Sequence, residues 1–319
     1  MAGPSFFTTE VIGELEPVIN EMFDMYTAAR EQVAEDMEDE EDVQFASSCL
    51  KETSDVLFKM TEIIGSIIKL AAPLFVATLW SLCPIYASMR TSYFETESMV
   101  AACFYSDLAE FGGELTKPMF TSWLPSIVEM IDHPSSTVRQ AVVYSLGVTA
   151  ELHPDIFAVY KNEVLQRLHR VITTEDSREE ENICATENAI SALGKVIQYH
   201  KKSLDIGSEI QKWISYLPTA SKDEETDVIF NQFCNFAKLY PAHVFGENFE
   251  VLGHMLTLIT DAFQSPQVTH ETQELLTQTL QDIHTNSPPA AIQTAVQQFS
   301  ECHGGDETIK QMIIRTISA

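Results

Sequence analysis

Glycine is scarce in this chain, with 12 among 319 residues, about half the usual share of about 7%. Strict polar/apolar alternation is also missing over any long stretch. Together these absences argue against sandwiches, barrels and glycine-looped nucleotide folds, and leave an almost wholly helical chain. Basic residues are few as well: 19 Lys and Arg stand against 47 Asp and Glu, for a formal net charge of −28. Phosphate backbones and anionic membranes are held by Lys and Arg clusters, so neither nucleic acid nor a membrane surface is an expected partner. Basic proteins and peptides are. An equally good reading makes much of this charge the solubility coat of a long helical surface.

No CxxC pair occurs among the six cysteines, Cys49, Cys83, Cys103, Cys184, Cys234 and Cys302. Their scatter through apolar helical patterns is the usage of free buried thiols in a reducing compartment. The opening MAGPSFF lacks the basic start and apolar core of a signal peptide. No P-loop, HExxH, GxSxG or dinucleotide fingerprint is present, and the nine His are dispersed without metal-ligand spacing. ECHGGD at 301–306 holds Cys302, His303 and Asp306 too close in sequence to face one another. No catalytic residue, metal ligand or cofactor is therefore expected, and the chain does not read as an enzyme.

Charge is absent from one further stretch, LAAPLFVATLWSLCPIYASM at 70–89, between Lys69 and Arg90. Twenty such residues could span a bilayer. Pro73, Pro84, the interspersed Ser and Thr, and the lack of a second such segment favour a buried, all-round apolar helix instead, with no membrane insertion.

What the chain does contain is a repeat. VAACFYSDL (100–108), VRQAVVYSL (138–146) and ATENAISAL (185–193) align with offsets of 38 and 47 residues. Each reads as the second helix of a pair, after first helices such as PMFTSWLPSIVEMI (118–131) and IFAVYKNEVLQRLHRVI (156–172). DHPSS at 132–136, Ser265-Pro266 and Ser287-Pro288 read as helix caps followed by a proline at the first helical position. The pattern predicts about seven antiparallel pairs, over 5–67, 70–112, 115–152, 156–200, 206–240, 246–285 and 288–317. This is the period of HEAT or armadillo units, which stack into a right-handed superhelical solenoid. The fold expected is thus all-α, a single HEAT array over 1–319 carrying an acidic loop at 31–42. In the first helix Val11, Ile12, Leu15, Val18, Ile19 and Met22 predict a buried face. A capping repeat would show a polar outer side, so the chain reads as a fragment of a longer solenoid.

The residues Asp132, Pro134, Val138, Arg139 and Ala141 have HEAT spacing, with Asp and Arg that bond between neighbouring repeats in that family. The ladder is incomplete, since Glu179 and Thr186, and Phe94 and Ala101, stand at the equivalent places. VRQAVVYSLGV followed by EENICATENAISALGKVIQYH (180–200) resembles the C-terminal portion of the importin-beta (karyopherin-beta) nuclear transport receptors, nearest the importin-5 branch. The acidic insert before VQFASSCLKETSDVLFKM fits the same branch.

The resemblance implies a carrier that shuttles between cytoplasm and nucleus. It would wrap cargo on the concave face of its second helices, meet Phe-Gly nucleoporins at the pore, and release cargo to the GTPase Ran. Ran is expected mainly at N-terminal repeats that this chain lacks. The alternative from another class is a structural HEAT scaffold such as a phosphatase regulatory subunit.

The run EQVAEDMEDEED, 31–42, puts eight carboxylates in twelve positions. Its Glu35, Asp36, Glu38, Asp39, Glu40, Glu41 and Asp42 could attract a basic cargo segment, or simply form a solvated loop. On or just before the apolar second helices, Glu95, Glu97, Asp107, Glu179, Glu180 and Glu187 could line an acidic concave face, or form a solvated helix surface with no partner. Asn188 could offer its amide to an extended peptide, or bond within the helical packing. Trp80, Trp123 and Trp213, with Phe120 and Phe157, could frame pockets for nucleoporin phenylalanines, although aromatics at helical spacing are more often core.

Overall fold

The structure, a computed structural model, describes residues 6–35, 51–92, 94–219, 225–301 and 306–318. Among the described residues no strand occurs. Two compact units form, residues 1–167 and 168–319.

In the first unit, α1 (Thr9–Glu35) buries Ile12, Ile19, Phe23 and Tyr26. The expected face is rotated: Val18 is exposed, because it sits six residues past Ile12 and therefore about 240° around the helix. The next helix, α2 (Lys51–Met89), runs on where two were expected, but it is broken at Ala71, whose φ of −150° and ψ of 28° are not helical. Pro73 supplies the cause, since it has no N–H for the carbonyl of Lys69 and its ring crowds that carbonyl. The first and second helical pairs thus meet at the break, where the repeat spacing divides them.

Beyond the break the apolar run is one-sided. Phe75, Leu79, Leu82 and Tyr86 are buried, while Pro73, Leu74, Ala77, Trp80 and Pro84 face outward. Ser54–Met89 is long and apolar enough to cross a membrane, with mean hydropathy 1.9 over an 18-residue window, yet only half of that window is buried. The expected all-round burial is therefore not what the packing gives.

The helix α3 (Glu95–Phe111) packs on α2 and on α5 (Ser136–Leu152), with α4 (Lys117–Glu129) before α5. Small residues Ser98, Ala101 and Ala102 let α3 come close on nearly all sides. An aromatic column crosses the unit: Phe23 lies 5.6 Å from Tyr86, Tyr86 stacks on Phe104 at 4.0 Å, and Phe104 lies 5.9 Å from Trp123. Successive second helices are joined by polar bonds, with the Tyr105 and Thr149 hydroxyls 3.0 Å apart, Ser145 Oγ donating to the Ala102 carbonyl at 3.2 Å, and His153 Nε2 at 2.7 Å from the Ala109 carbonyl. Both residues of the expected Asp–Arg rung make polar bonds. Asp132 is paired with Arg167 at 2.5 Å, while Arg139 donates to the His133 and Pro134 carbonyls. A short helix, α6 (Pro154–Phe157), leads into α7 (Lys161–Thr173), inside which the two units divide.

The second unit continues with α8 (Ile183–Tyr199), α9 (Ile206–Ser215), α10 (Glu225–Leu239), the short α11 (Pro241–Phe245), α12 (Leu252–Gln264), α13 (His270–Asn286), α14 (Pro289–Glu301) and α15 (Glu307–Ser318). Second helices again stack, α8 on α10, α10 on α13 and α13 on α15. Trp213 is fully buried, donates Nε1–H to the Ile190 carbonyl at 2.9 Å, and meets Phe236 edge-to-face at 5.1 Å. Ser135, Asp205 and Thr269 cap helix N-termini through their side chains. Ser265 and Ser287 instead close the helices before them, and Pro266 and Pro288 stop those helices from continuing.

Candidate partner-binding surfaces

The acidic run falls outside the described residues from Asp36 through Glu38, Asp39, Glu40, Glu41 and Asp42; Glu35 is the last residue of α1, its side chain likewise outside. Cys302 and His303 lie outside as well. Among the described residues no group of His, Cys, Asp and Glu could hold a metal ion.

Glu179 and Glu180 are exposed on the segment between α7 and α8. Glu175, Asp176 and Glu181 join them there, a cluster whose signal in the sequence was the density of TTEDSREEEN. The segment is fixed from beneath: Ser177 Oγ donates to the Ile172 carbonyl at 2.9 Å, Thr186 Oγ1 to the Ser177 carbonyl at 2.7 Å, and Arg178 to the Tyr216 carbonyl at 2.6 Å. Carboxylates held this way meet a ligand without first losing backbone freedom.

Glu187 and Asn188 lie elsewhere. They are 0% and 4% exposed inside the packing of α8, and Asn188 Nδ2 donates to the Cys184 carbonyl at 3.0 Å. A partner would reach them only by displacing packed helices. Glu97 is also buried, where it accepts from Tyr26 Oη at 2.7 Å and Arg30 Nε at 2.6 Å, so it locks α1 to α3 rather than facing outward. Burial first, then the bond to Glu97, raises the Tyr26 phenol and keeps it a donor. Of the three tryptophans, Trp123 and Trp213 are core and only Trp80 is exposed; Phe120 and Phe157 are core too. Arg90 lies 4.9 Å from the Trp123 ring.

Asp107 sits half-hidden against α2, so close to the Gly65 backbone that a Cβ there would lie 2.3 Å from its carboxylate. Burial, aided by Glu110 and opposed by Lys69, pushes its pKa up from 3.8 to about 7. The folded protein then holds a proton that the unfolded chain has released, so stability is present at low pH and falls as pH rises from about 4 to about 7. Asp107→Asn is expected to stabilise the first unit by about 2 kcal/mol at pH 8 and to flatten that slope. Thermal unfolding between about pH 4 and pH 8 checks it; an unchanged slope in the variant sinks the assignment.

No family model matches the chain. It is similar to importin subunit beta-3 of Saccharomyces cerevisiae (strain ATCC 204508 / S288c), 26% identical over 174 residues that are 53% of this chain and 16% of that protein. A probable importin-5 homolog of Dictyostelium discoideum is 28% identical over 162 residues, 47% of this chain and 14% of the relative. The matched part is therefore a small fraction of either relative. In fold, the karyopherin Kap121p bound to the SUMO protease Ulp1p matches with a TM-score of 0.73 and 18% identity, covering 95% of this chain and 26% of Kap121p. Kap121p bound to Nup53p gives 0.70 with the same identity and coverage. This chain resembles the importin-5-type karyopherins in sequence over about half its length, and it shares their helical solenoid fold over nearly all of it.

Proposed function

We propose that this chain is a HEAT-repeat portion of an importin-type nuclear transport receptor, which binds protein cargo and nucleoporins reversibly and catalyses nothing. One observation carries the reading: sequence similarity to two importins over about half of the chain goes with a Kap121p-like fold along 95% of it. Solved Kap121p complexes with Ulp1p and with Nup53p supply the parallel for cargo and for a nucleoporin. In this reading the protein shuttles between cytoplasm and nucleus through the pores. Ran acts mainly through repeats outside this chain. The repeat series runs in sequence through both units as one array. The carboxylates of 31–42 and the exposed Glu179 and Glu180 draw basic nuclear-localisation segments, raising encounter rates by roughly 10 to 1000-fold at low salt.

The test is fluorescence anisotropy of a labelled basic nuclear-localisation peptide and of a Phe-Gly repeat peptide with the whole chain. A variant carries Ser at Glu35, Asp36, Glu38, Asp39, Glu40, Glu41 and Asp42. Binding of the basic peptide is expected to weaken with salt and to drop by about tenfold in the variant. Failure to bind either peptide at low salt removes the carrier reading in favour of a HEAT scaffold.

A further inference from the structure

The turn between α11 and α12, Gly246 to Val251, carries a backbone that its sequence does not invite. Phe249 has φ +60°, the left-handed region that a bulky residue rarely enters. It is held there by its own N–H to the Gly246 carbonyl at 3.2 Å, by Leu252 N–H to the Phe249 carbonyl at 3.1 Å, and by Val251 N–H to the Phe245 carbonyl at 3.3 Å. Gly246, at φ +86°, holds a conformation that a side chain would strain, and a Cβ there would lie 2.3 Å from the Glu250 carboxyl carbon unless Glu250 moved. Glu250 accepts in turn from the Asn248 N–H at 2.9 Å. The turn is thus built tightly around one phenyl ring that is only partly covered.

That ring is the shared wall of two cavities. On one side Phe249 lies 6.3 Å from Phe245 in a near-parallel stack, and with Ala237 and Ile283 it bounds an apolar hollow of about 240 Å³, with Lys238 and Asp282 at its edge. On the other side Phe249 joins Glu247, Glu250, Pro288 and Thr294 around an open cavity of about 500 Å³. The apolar hollow suits one aromatic or branched aliphatic side chain. Both charged side chains lining the second cavity are carboxylates, whereas the only cation lining either one, Lys238, stands at the apolar hollow.

We infer that the turn at Phe249 is a docking site for a short peptide that seats one apolar side chain beside Phe245 and directs an adjacent lysine or arginine to Glu247 and Glu250. The charges favour that arrangement: at the hollow Lys238 offsets Asp282, whereas on the far side of the ring Glu247 and Glu250 face a basic residue with no cation among the lining residues. The site lies entirely within the second unit and uses neither the acidic run nor the 175–181 segment. It rests on the transport reading only in taking a protein segment as its ligand.

The experiment measures, at physiological salt where long-range attraction to the acidic run is screened, anisotropy of a fluorescein-labelled peptide, one phenylalanine next to a single lysine in a Gly/Ser chain, with the full 319-residue protein. Phe249→Gly removes the wall and suits the left-handed backbone, so the chain stays folded, which circular dichroism confirms. Phe249→Gly, and separately Glu247→Gln with Glu250→Gln, are each expected to weaken binding by about tenfold. The peptide with alanine for phenylalanine should bind weakly to every protein. Replacing the acidic run with Ser should change affinity less than about twofold.

The inference is overturned if the parent chain does not bind, if the alanine peptide binds equally well, or if Phe249→Gly binds as the parent does. A loss seen only in the acidic-run variant also overturns it, while leaving the transport reading standing.

Discussion

Trp213→Ala is expected to lower the stability of the second unit by about 4 kcal/mol. The indole is fully buried, meets Phe236 edge-to-face, and gives its N–H to the Ile190 carbonyl, so truncation leaves a cavity and takes away a donor at once. For a unit of this size the loss corresponds to a melting temperature lower by about 10 °C. Differential scanning calorimetry checks it. A shift under about 3 °C would mean that α9 collapses onto α8 and α10 at little cost. Trp213→Phe, which keeps most of the volume and drops only the donor, should cost less than half as much.

Glu97→Ala is the counterpart in the first unit, with an expected cost of about 3 kcal/mol. The fully buried carboxylate is the acceptor for both Tyr26 and Arg30. Without it the Tyr26 hydroxyl is left buried with its bond lost, whereas the Arg30 side chain, 36% exposed, can turn to water. Glu97→Gln keeps an acceptor for Tyr26 and should be milder. Because repeat stability is summed over neighbours, the damage should stay local. Native-state hydrogen exchange should show protection lost along α1 and retained from α8 to α15. Unchanged protection in α1 would show that Glu97 does not hold that helix.

Much of the fold was legible in the sequence because burial on a helix must recur every three to four residues. Val138, Leu146 and Leu193 mark second helices by that rule alone, and Pro73 marks the break at Ala71. The misses share a cause. Val18 and Met22 belong to an apolar set wider than the buried stripe, and only the neighbouring helices decide which edge of it is covered. Ser265 and Ser287 precede prolines as an N-cap would, yet the same pairing ends a helix equally well. Glu187 and Glu97 look like surface carboxylates in sequence, because the Tyr and Arg that make burial of Glu97 tolerable are about 70 residues away. Nothing in GENFEV announces a left-handed phenylalanine. That geometry comes from the closing bonds of the turn, not from the preference of the residue.

Several of the bonds between successive helices have one property in common. Ser145 reaches the Ala102 carbonyl, Trp213 the Ile190 carbonyl and Gln232 the Ser191 carbonyl. In each case a side chain grips main chain, and every residue type offers the same carbonyl. Such joints specify one side of the contact and leave the other free to drift. Neighbouring helices can therefore lose nearly all likeness to one another, and to their counterparts in distant proteins, while the spacing between them stays put.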